Sequence, residues 1–199
     1  PSHPAKLYVS LRKIPSTQQY KLFYAPKFKK FVNGIIPDKF NEESLARDEP
    51  RLIIPFLDRD GNVFGFQGRS FQKNAKLRYI TIMVDESKPK MFGLDAVDFA
   101  KPVYIFEGPI DSMFVPNSLA MAGADMIQAQ QMLKLDPAKC VVVHDNEPRN
   151  KDIVKRVESC INMGYGVCLW PHGILQKDVN DMVLAGMNPI DIKMVLDVN

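Results

Sequence analysis

The sequence predicts an α/β protein in which a parallel-sheet layer with helices follows a smaller α+β subdomain rich in basic residues. Three observations predict it. From Val103 onward, short apolar runs of strand length alternate with helical stretches, as in parallel sheets buried on both faces. Residues 51–84 instead hold three strand-like runs with a turn signal at Asp60-Gly61, the pattern of an antiparallel hairpin. Charge divides along the same line: residues 1–90 carry 17 Lys and Arg against 9 Asp and Glu, and residues 91–199 carry 9 against 14. The expected division is a basic N-terminal subdomain, 1–98, and a second subdomain, 99–199.

Taken in order, Ala5–Leu11 reads as a short helix ended by a turn at Ile14-Pro15. Tyr20–Phe31 is an aromatic-basic stretch. Asn33-Gly34 and Pro37 break the pattern, and the acidic Asn41–Glu49 stretch reads as loop. Leu52–Leu57, Val63–Arg69 and Leu77–Val84 are the three antiparallel strands, the first two joined by Asp58–Asn62. In the second half, Val103–Phe106 and Val141–Val143 are nearly pure apolar strands, with Leu119–Ala122 and Gly166–Trp170 as weaker ones. Helices are expected at Met126–Leu135, at Lys151–Met163 before Gly164, and at Asp178–Leu184 before Gly186. A last helix starts at Asn188-Pro189, with Asn as N-cap and Pro in the first turn.

Composition excludes several classes. With 46% apolar and 25% charged residues the chain can build an ordinary core. No run of about 18 apolar residues could span a membrane. The opening Pro1-Ser2-His3-Pro4 looks like neither a start nor a leader, so the chain is expected to be a fragment of something longer. Its three cysteines, Cys140, Cys160 and Cys168, form no Cys-x-x-Cys pair. That argues against a zinc ribbon or a disulfide framework and suits a reducing cytoplasm.

Three acidic clusters follow strands. Glu107-Gly108-Pro109-Ile110-Asp111-Ser112 comes directly after Val103–Phe106, and Asp145-Asn146-Glu147 directly after Val141–Val143. Lys177-Asp178-Val179-Asn180-Asp181 lies a few residues after Gly166–Trp170. Ligands of parallel α/β sheets bind at the carboxyl ends of the strands, so three strands deliver carboxylates to one rim. In extended backbone Asp145 and Glu147 point the same way. Converging carboxylates repel unless a cation or an unusual proton count offsets them. Oxygen ligands without His or Cys suit Mg²⁺ or Mn²⁺, and such ions usually serve phosphoryl transfer. Singly each cluster has a plainer account: a surface strand end, a polar turn, or, for Asp178 with Asp181, a helix cap. In the basic half, Arg51, Arg69, Lys73, Lys76 and Arg78 gather on and around the hairpin, where they could clamp triphosphate or template phosphates. The alternative is that Arg69 and Arg78 pair with acids across the subdomain boundary. His144 reads as a structural residue beside the site, and Phe64, Phe66, Phe71 and Trp170 as core.

Glu107–Phe114 (Glu-Gly-Pro-Ile-Asp-Ser-Met-Phe), Asp145–Arg149 (Asp-Asn-Glu-Pro-Arg) and Lys177–Met182 (Lys-Asp-Val-Asn-Asp-Met) together resemble the signature motifs of Toprim-type DNA primases, those of T-even-like bacteriophages above all. His3–Pro15 and the hairpin from Arg51 to Tyr79 share the resemblance. It implies a Toprim layer in which Glu107 does acid/base or metal-organising work and joins Asp145, Glu147 and Asp178 in holding Mg²⁺ or Mn²⁺, two ions in all, with no zinc in this fragment. Asp181 is a further candidate ligand, and Arg149 joins the basic residues as a nucleotide or template contact. The implied activity is template-directed synthesis of short RNA primers from ribonucleoside triphosphates on single-stranded DNA. A replicative helicase would be met through the parent chain, no membrane is involved, and the setting would be the cytoplasm of an infected bacterial host. Two departures stand out: Asp145-x-Glu147 where many Toprim proteins have Asp-x-Asp, and Asp178-x-Asn180 followed by Asp181 where bacterial primases often have Asp-x-Asp. A Toprim nuclease and a catalytically inactive nucleic-acid-binding scaffold remain alternatives. A topoisomerase subunit would need a tyrosine nucleophile domain, for which there is no room.

Overall fold

A computed structural model describes residues 3–123 and 126–198. The chain opens with α1 (Pro4–Leu11), the single turn α2 (Ser16–Gln19), β1 (Phe23–Ala25), α3 (Phe28–Ile35) and α4 (Glu42–Ala46), followed by β2 (Arg51–Leu57), β3 (Val63–Ser70) and β4 (Tyr79–Met83). These strands form an antiparallel sheet in sequential order. The turn between β2 and β3 is closed by Asp58, whose Oδ1 accepts from Asp60 N at 3.0 Å and Asn62 N at 2.9 Å, with Gly61 at φ +81°. The second half runs β5 (Val103–Phe106), α5 (Pro109–Ser112), β6 (Ser118–Ala120), α6 (Met126–Leu133), β7 (Cys140–Val143), α7 (Lys151–Asn162), β8 (Gly166–Val167), α8 (Val179–Leu184) and α9 (Pro189–Asp197). Its four strands are parallel in the order β6-β5-β7-β8.

The core follows from strand alternation. Tyr104 and Phe106 of β5 face a large cluster with Leu52, Ile54, Phe56, Phe64 and Met83 of the antiparallel sheet, joined by Val9, Met182, Ile192 and Leu196 from helices. Val103 and Ile105 face the other way, onto Met126, Ala129 and Cys160 of α6 and α7. The outer face of the antiparallel sheet, Ile53, Phe66 and Ile82, is covered by Phe28 and Val32 of α3. The two sheets therefore share a core. The segment before β5 already joins the second layer, with Met91 and Val97 buried there and Phe92 bridged to Ala120.

Three local expectations need correcting. The Asn41–Glu49 stretch holds α4 rather than loop: Asn41 Oδ1 caps Ser44 N at 2.9 Å, and Glu42 and Glu43 sit in the first turn, where the helix dipole favours acids. Asn33-Gly34 does not break α3. Asn33 is bonded both ways to the Phe40 backbone, at 2.7 and 2.8 Å, and the burial of Phe28 and Val32 outweighs the roughly 1 kcal/mol that a helical glycine costs. Finally, β8 stops at Val167, so the third acidic cluster arrives through the loop 168–177 and not from a strand end.

Gly68 pairs with Ile53 beneath α3. A Cβ there would lie 2.2 Å from the Phe28 ring. Gly68→Ala should cost about 1–3 kcal/mol by overpacking, a fall in melting temperature of roughly 3–10 °C. Unchanged melting would contradict this packing.

Candidate metal and nucleotide site

Glu107 follows β5 and Asp145 follows β7, so adjacent parallel strands set them side by side. They line one narrow cleft with Asp111, from the first turn of α5, and Asp178, the N-cap of α8. Asp181 is not among the cleft residues; its backbone N–H donates to Asp178 Oδ1 at 2.7 Å. Glu147 stands beside the cleft. Its N–H turns back to Asp145 O at 2.8 Å, so the backbone is a tight turn and not the extended run expected. The two acids still face one partner, Lys177, whose Nζ lies 3.4 Å from Asp145 and 3.0 Å from Glu147.

Glu107 is held from two sides. Its Oε1 lies 2.8 Å from Nδ1 of the buried His144, and its Oε2 accepts from Arg156 at 3.1 Å. Burial pushes its carboxyl up, but His144 and Arg156 outweigh that and hold it below the usual carboxylate range. The opposite holds for its neighbours. Burial and then the charge of Glu107 push Asp145 up to about 6. Burial and then Asp178 raise Asp111, and burial raises Asp178. The residues between them brace the site: Trp170 Nε1 donates to His144 O at 2.9 Å, and Asn180 N donates to Asp111 Oδ1 at 2.9 Å. Buried Asn180 also exchanges two bonds of 2.7 Å with Arg12 of the N-terminal region.

Sequence reading named Glu107, Asp145, Glu147, Asp178 and Asp181, which this region gathers. It passed over Asp111, although that residue lies in the first motif, and over Arg12 and Arg156, whose partners are 168 and 49 residues away. The basic residues divide. Arg51 is 3% exposed, its guanidinium bonded to Gly68 O, Leu77 O and Glu49, so it holds the hairpin together. Arg69 is 5% exposed, bonded to the Tyr8 hydroxyl at 3.0 Å and stacked 4.7 Å from the Tyr79 ring. Lys73, Lys76 and Arg78 are exposed, as is Arg149 beyond Glu147.

Among the described residues, no three His, Cys, Asp or Glu side chains are grouped closely enough to hold one ion. The donor set nevertheless fits a hard divalent cation. It is all carboxylate oxygen, and Asp111, Asp145 and Asp178 are raised first by burial and then by neighbouring carboxylates, a setting in which a hard cation would offset the charge.

A carboxyl raised in the folded state destabilises the fold wherever it is ionised. For Asp145 the cost is absent below about pH 4, where folded and unfolded chains are both protonated, and is complete above about 6. Asp145→Asn should therefore stabilise the metal-free protein near pH 7.5 by up to about 2 kcal/mol, or roughly 3–8 °C in melting temperature. The gain should vanish as pH falls through that window; a pH-independent gain would mean packing, not charge.

No protein-family model matches the chain. It is 38% identical to the DNA primase of enterobacteria phage T4 over 184 residues, 91% of this chain and 51% of that protein. It is 24% identical to the DNA primase of Lactococcus lactis over 166 residues, 69% of this chain and 26% of that protein. The chain thus spans about half, or less, of these relatives. Among solved structures, the zinc-binding and RNA polymerase domains of the Aquifex aeolicus primase superpose with a TM-score of 0.68 at 20% identity, over 96% of this chain and 55% of that one. The RNA polymerase domain of Mycobacterium tuberculosis DnaG gives 0.68 at 20%, over 98% and 75%. A DnaG catalytic domain bound to single-stranded DNA gives 0.66 at 16%, over 98% and 73%. The chain is a homologue of the phage T4 DNA primase, and it has the fold of the primase RNA polymerase domain.

Proposed function

We propose that this chain is the catalytic core of a DNA primase, synthesising short RNA primers on a single-stranded DNA template by metal-dependent nucleotidyl transfer. One observation carries the reading: carboxylates from three motifs meet in one cleft at the carboxyl edge of a parallel sheet, in a chain 38% identical to a named DNA primase. In the reaction the 3′-hydroxyl of one ribonucleotide attacks the α-phosphate of the next triphosphate and pyrophosphate leaves. Asp145, Glu147 and Asp178, with Asp181 at the margin, would hold Mg²⁺ or Mn²⁺, two ions in this reading. The chemistry supplied by ions held there would be activation of the attacking oxygen and neutralisation of the leaving pyrophosphate. Of the two roles open to Glu107, its downward shift favours organising the site, since a carboxylate held ionised well below neutrality is a weak proton acceptor.

Residues 1–98 would then serve template and nucleotide, and residues 99–199 the chemistry. Lys73, Lys76, Arg78 and Arg149 are the phosphate contacts that exposure supports, while Arg51 and Arg69 act by holding the hairpin in shape. A replicative helicase would be reached through the parent chain, in the cytoplasm of an infected bacterial cell. No helix among the described residues is long and apolar enough to cross a membrane.

The assay is single-stranded DNA with ribonucleoside triphosphates and Mg²⁺ or Mn²⁺. Short template-dependent RNA should form and should fall by at least about 100-fold in Glu107→Gln, the scale on which electrostatic catalytic groups act. DNA cleavage without RNA products would indicate a nuclease instead. Replacing Lys73, Lys76 and Arg78 by Ala should weaken single-stranded DNA binding and flatten its salt slope by roughly 2, about 0.7 for each phosphate no longer neutralised. Arg51→Met should leave that slope alone and lower stability. A slope unmoved by the triple replacement would remove the hairpin from the template path.

A further inference from the structure

Asn146 lies between two of the acids and points all its donors at one loop. Its N–H donates to Lys177 O at 2.6 Å, and its side-chain amide donates to Ile174 O at 2.7 Å and Gln176 O at 3.1 Å. These three bonds fasten the acidic turn after β7 to the loop that precedes α8. They fix the Lys177 main chain and leave its side chain on the surface, 52% exposed, with Nζ 3.0 Å from Glu147 Oε2 and 3.4 Å from Asp145 Oδ2. The next residue, Asp178, lines the same cleft as Asp145. A cation is thus tethered inside the carboxylate set, against two of the oxygens that a divalent ion would use. Pairs this exposed are weak and exchange readily, and the lysine stem has the torsional freedom to swing its head into water.

We propose that Lys177 is an internal counter-ion for Asp145 and Glu147, one that must leave before those oxygens accept a divalent cation, and that it thereby sets the metal affinity of the site. The inference rests on Asp145 and Glu147 being metal ligands. Asn146 is the positioning residue that keeps the ammonium at hand. Loading the site is then an exchange of one cation for another, and the two acids keep a counter-charge in either state.

The test is Mn²⁺ binding, read from free Mn²⁺ by electron paramagnetic resonance, on the 199-residue chain and on Lys177→Met and Lys177→Arg, each with and without Asp145→Asn. Thermal melting in EDTA accompanies it. Lys177→Met should bind Mn²⁺ about tenfold more tightly, two half-exposed pairs each shifting the equilibrium a few-fold. The same variant should melt lower in EDTA and gain more from added Mn²⁺, while Lys177→Arg stays near the parent. Equal or weaker affinity in Lys177→Met overturns the proposal, as does a gain that survives Asp145→Asn, which would mark a general charge effect. If neither the parent nor Lys177→Met binds Mn²⁺, the metal reading fails and this one with it. Equal binding by both overturns only the role of Lys177.

Discussion

The mutual repulsion of carboxylates at the edge of a parallel sheet is the constraint around which this molecule is arranged. Glu107, Asp111, Asp145 and Asp178 line one cleft, where water is partly excluded and like charges screen one another poorly. The protein offsets them in two ways. Glu107, Asp145 and Glu147 meet side-chain cations or donors, namely His144, Arg156 and Lys177. Asp111 and Asp178 accept instead from backbone N–H groups in the first turn of α8, those of Asn180 and Asp181. A side-chain partner can move away and a backbone amide in a helix cannot. Of the side-chain partners, Lys177 and Arg156 are exposed while His144 is buried, and the α8 amides are fixed by their helix.

That arrangement explains why the N-terminal region belongs to the same core. Arg12 sits just beyond α1 yet bonds to Asn180 in α8, and its charge offsets that of Asp111 and Asp178. The apolar cluster between the two sheets carries the same tie in hydrophobic form, from Val9 through Phe56 and Phe106 to Met182. Within the basic half, burial sorts the guanidinium groups. Removing Arg51 from water is tolerable because backbone carbonyls and Glu49 receive its terminal nitrogens. Arg69 is held by aromatic faces and a tyrosine hydroxyl. Positive charge in the sequence is therefore of two kinds, one held inside the hairpin and one left on its surface.

Much of this was legible before the structure, for a physical reason. Strands buried on both faces must be apolar at every position, and Val103–Phe106 was located to the residue. Carboxylates directly after such strands fall at the sheet's edge, which is why Glu107 and Asp145 could be placed from order alone, whereas the third cluster comes through a loop. Capping also spoke plainly at Asn188-Pro189, where Asn188 accepts from Ile190 N at 2.9 Å. The failures were of two kinds. Short elements depend on contacts that period does not encode: α4 hangs on one Asn cap, and α3 crosses a glycine because Phe28 and Val32 are buried beneath it. Long-range partners were the other kind, since nothing near Asp111 or Glu107 in sequence announces Arg12 or Arg156.

Asn180 shows how a departure from a familiar motif can be physically required. The position is 1% exposed, its backbone N–H bonds to the Asp111 carboxylate, and its side chain must accept from the Arg12 guanidinium while donating to the Arg12 carbonyl. An amide does both; a carboxylate has no hydrogen to donate and would add a buried charge beside Asp111, already raised by burial and then by Asp178. One residue on, Asp181 is partly exposed and its backbone N–H caps Asp178. The Asp-x-Asn-Asp spelling follows from giving the middle position to the joint between the two halves of the chain, and it leaves Asp178 as the acid that faces the cleft.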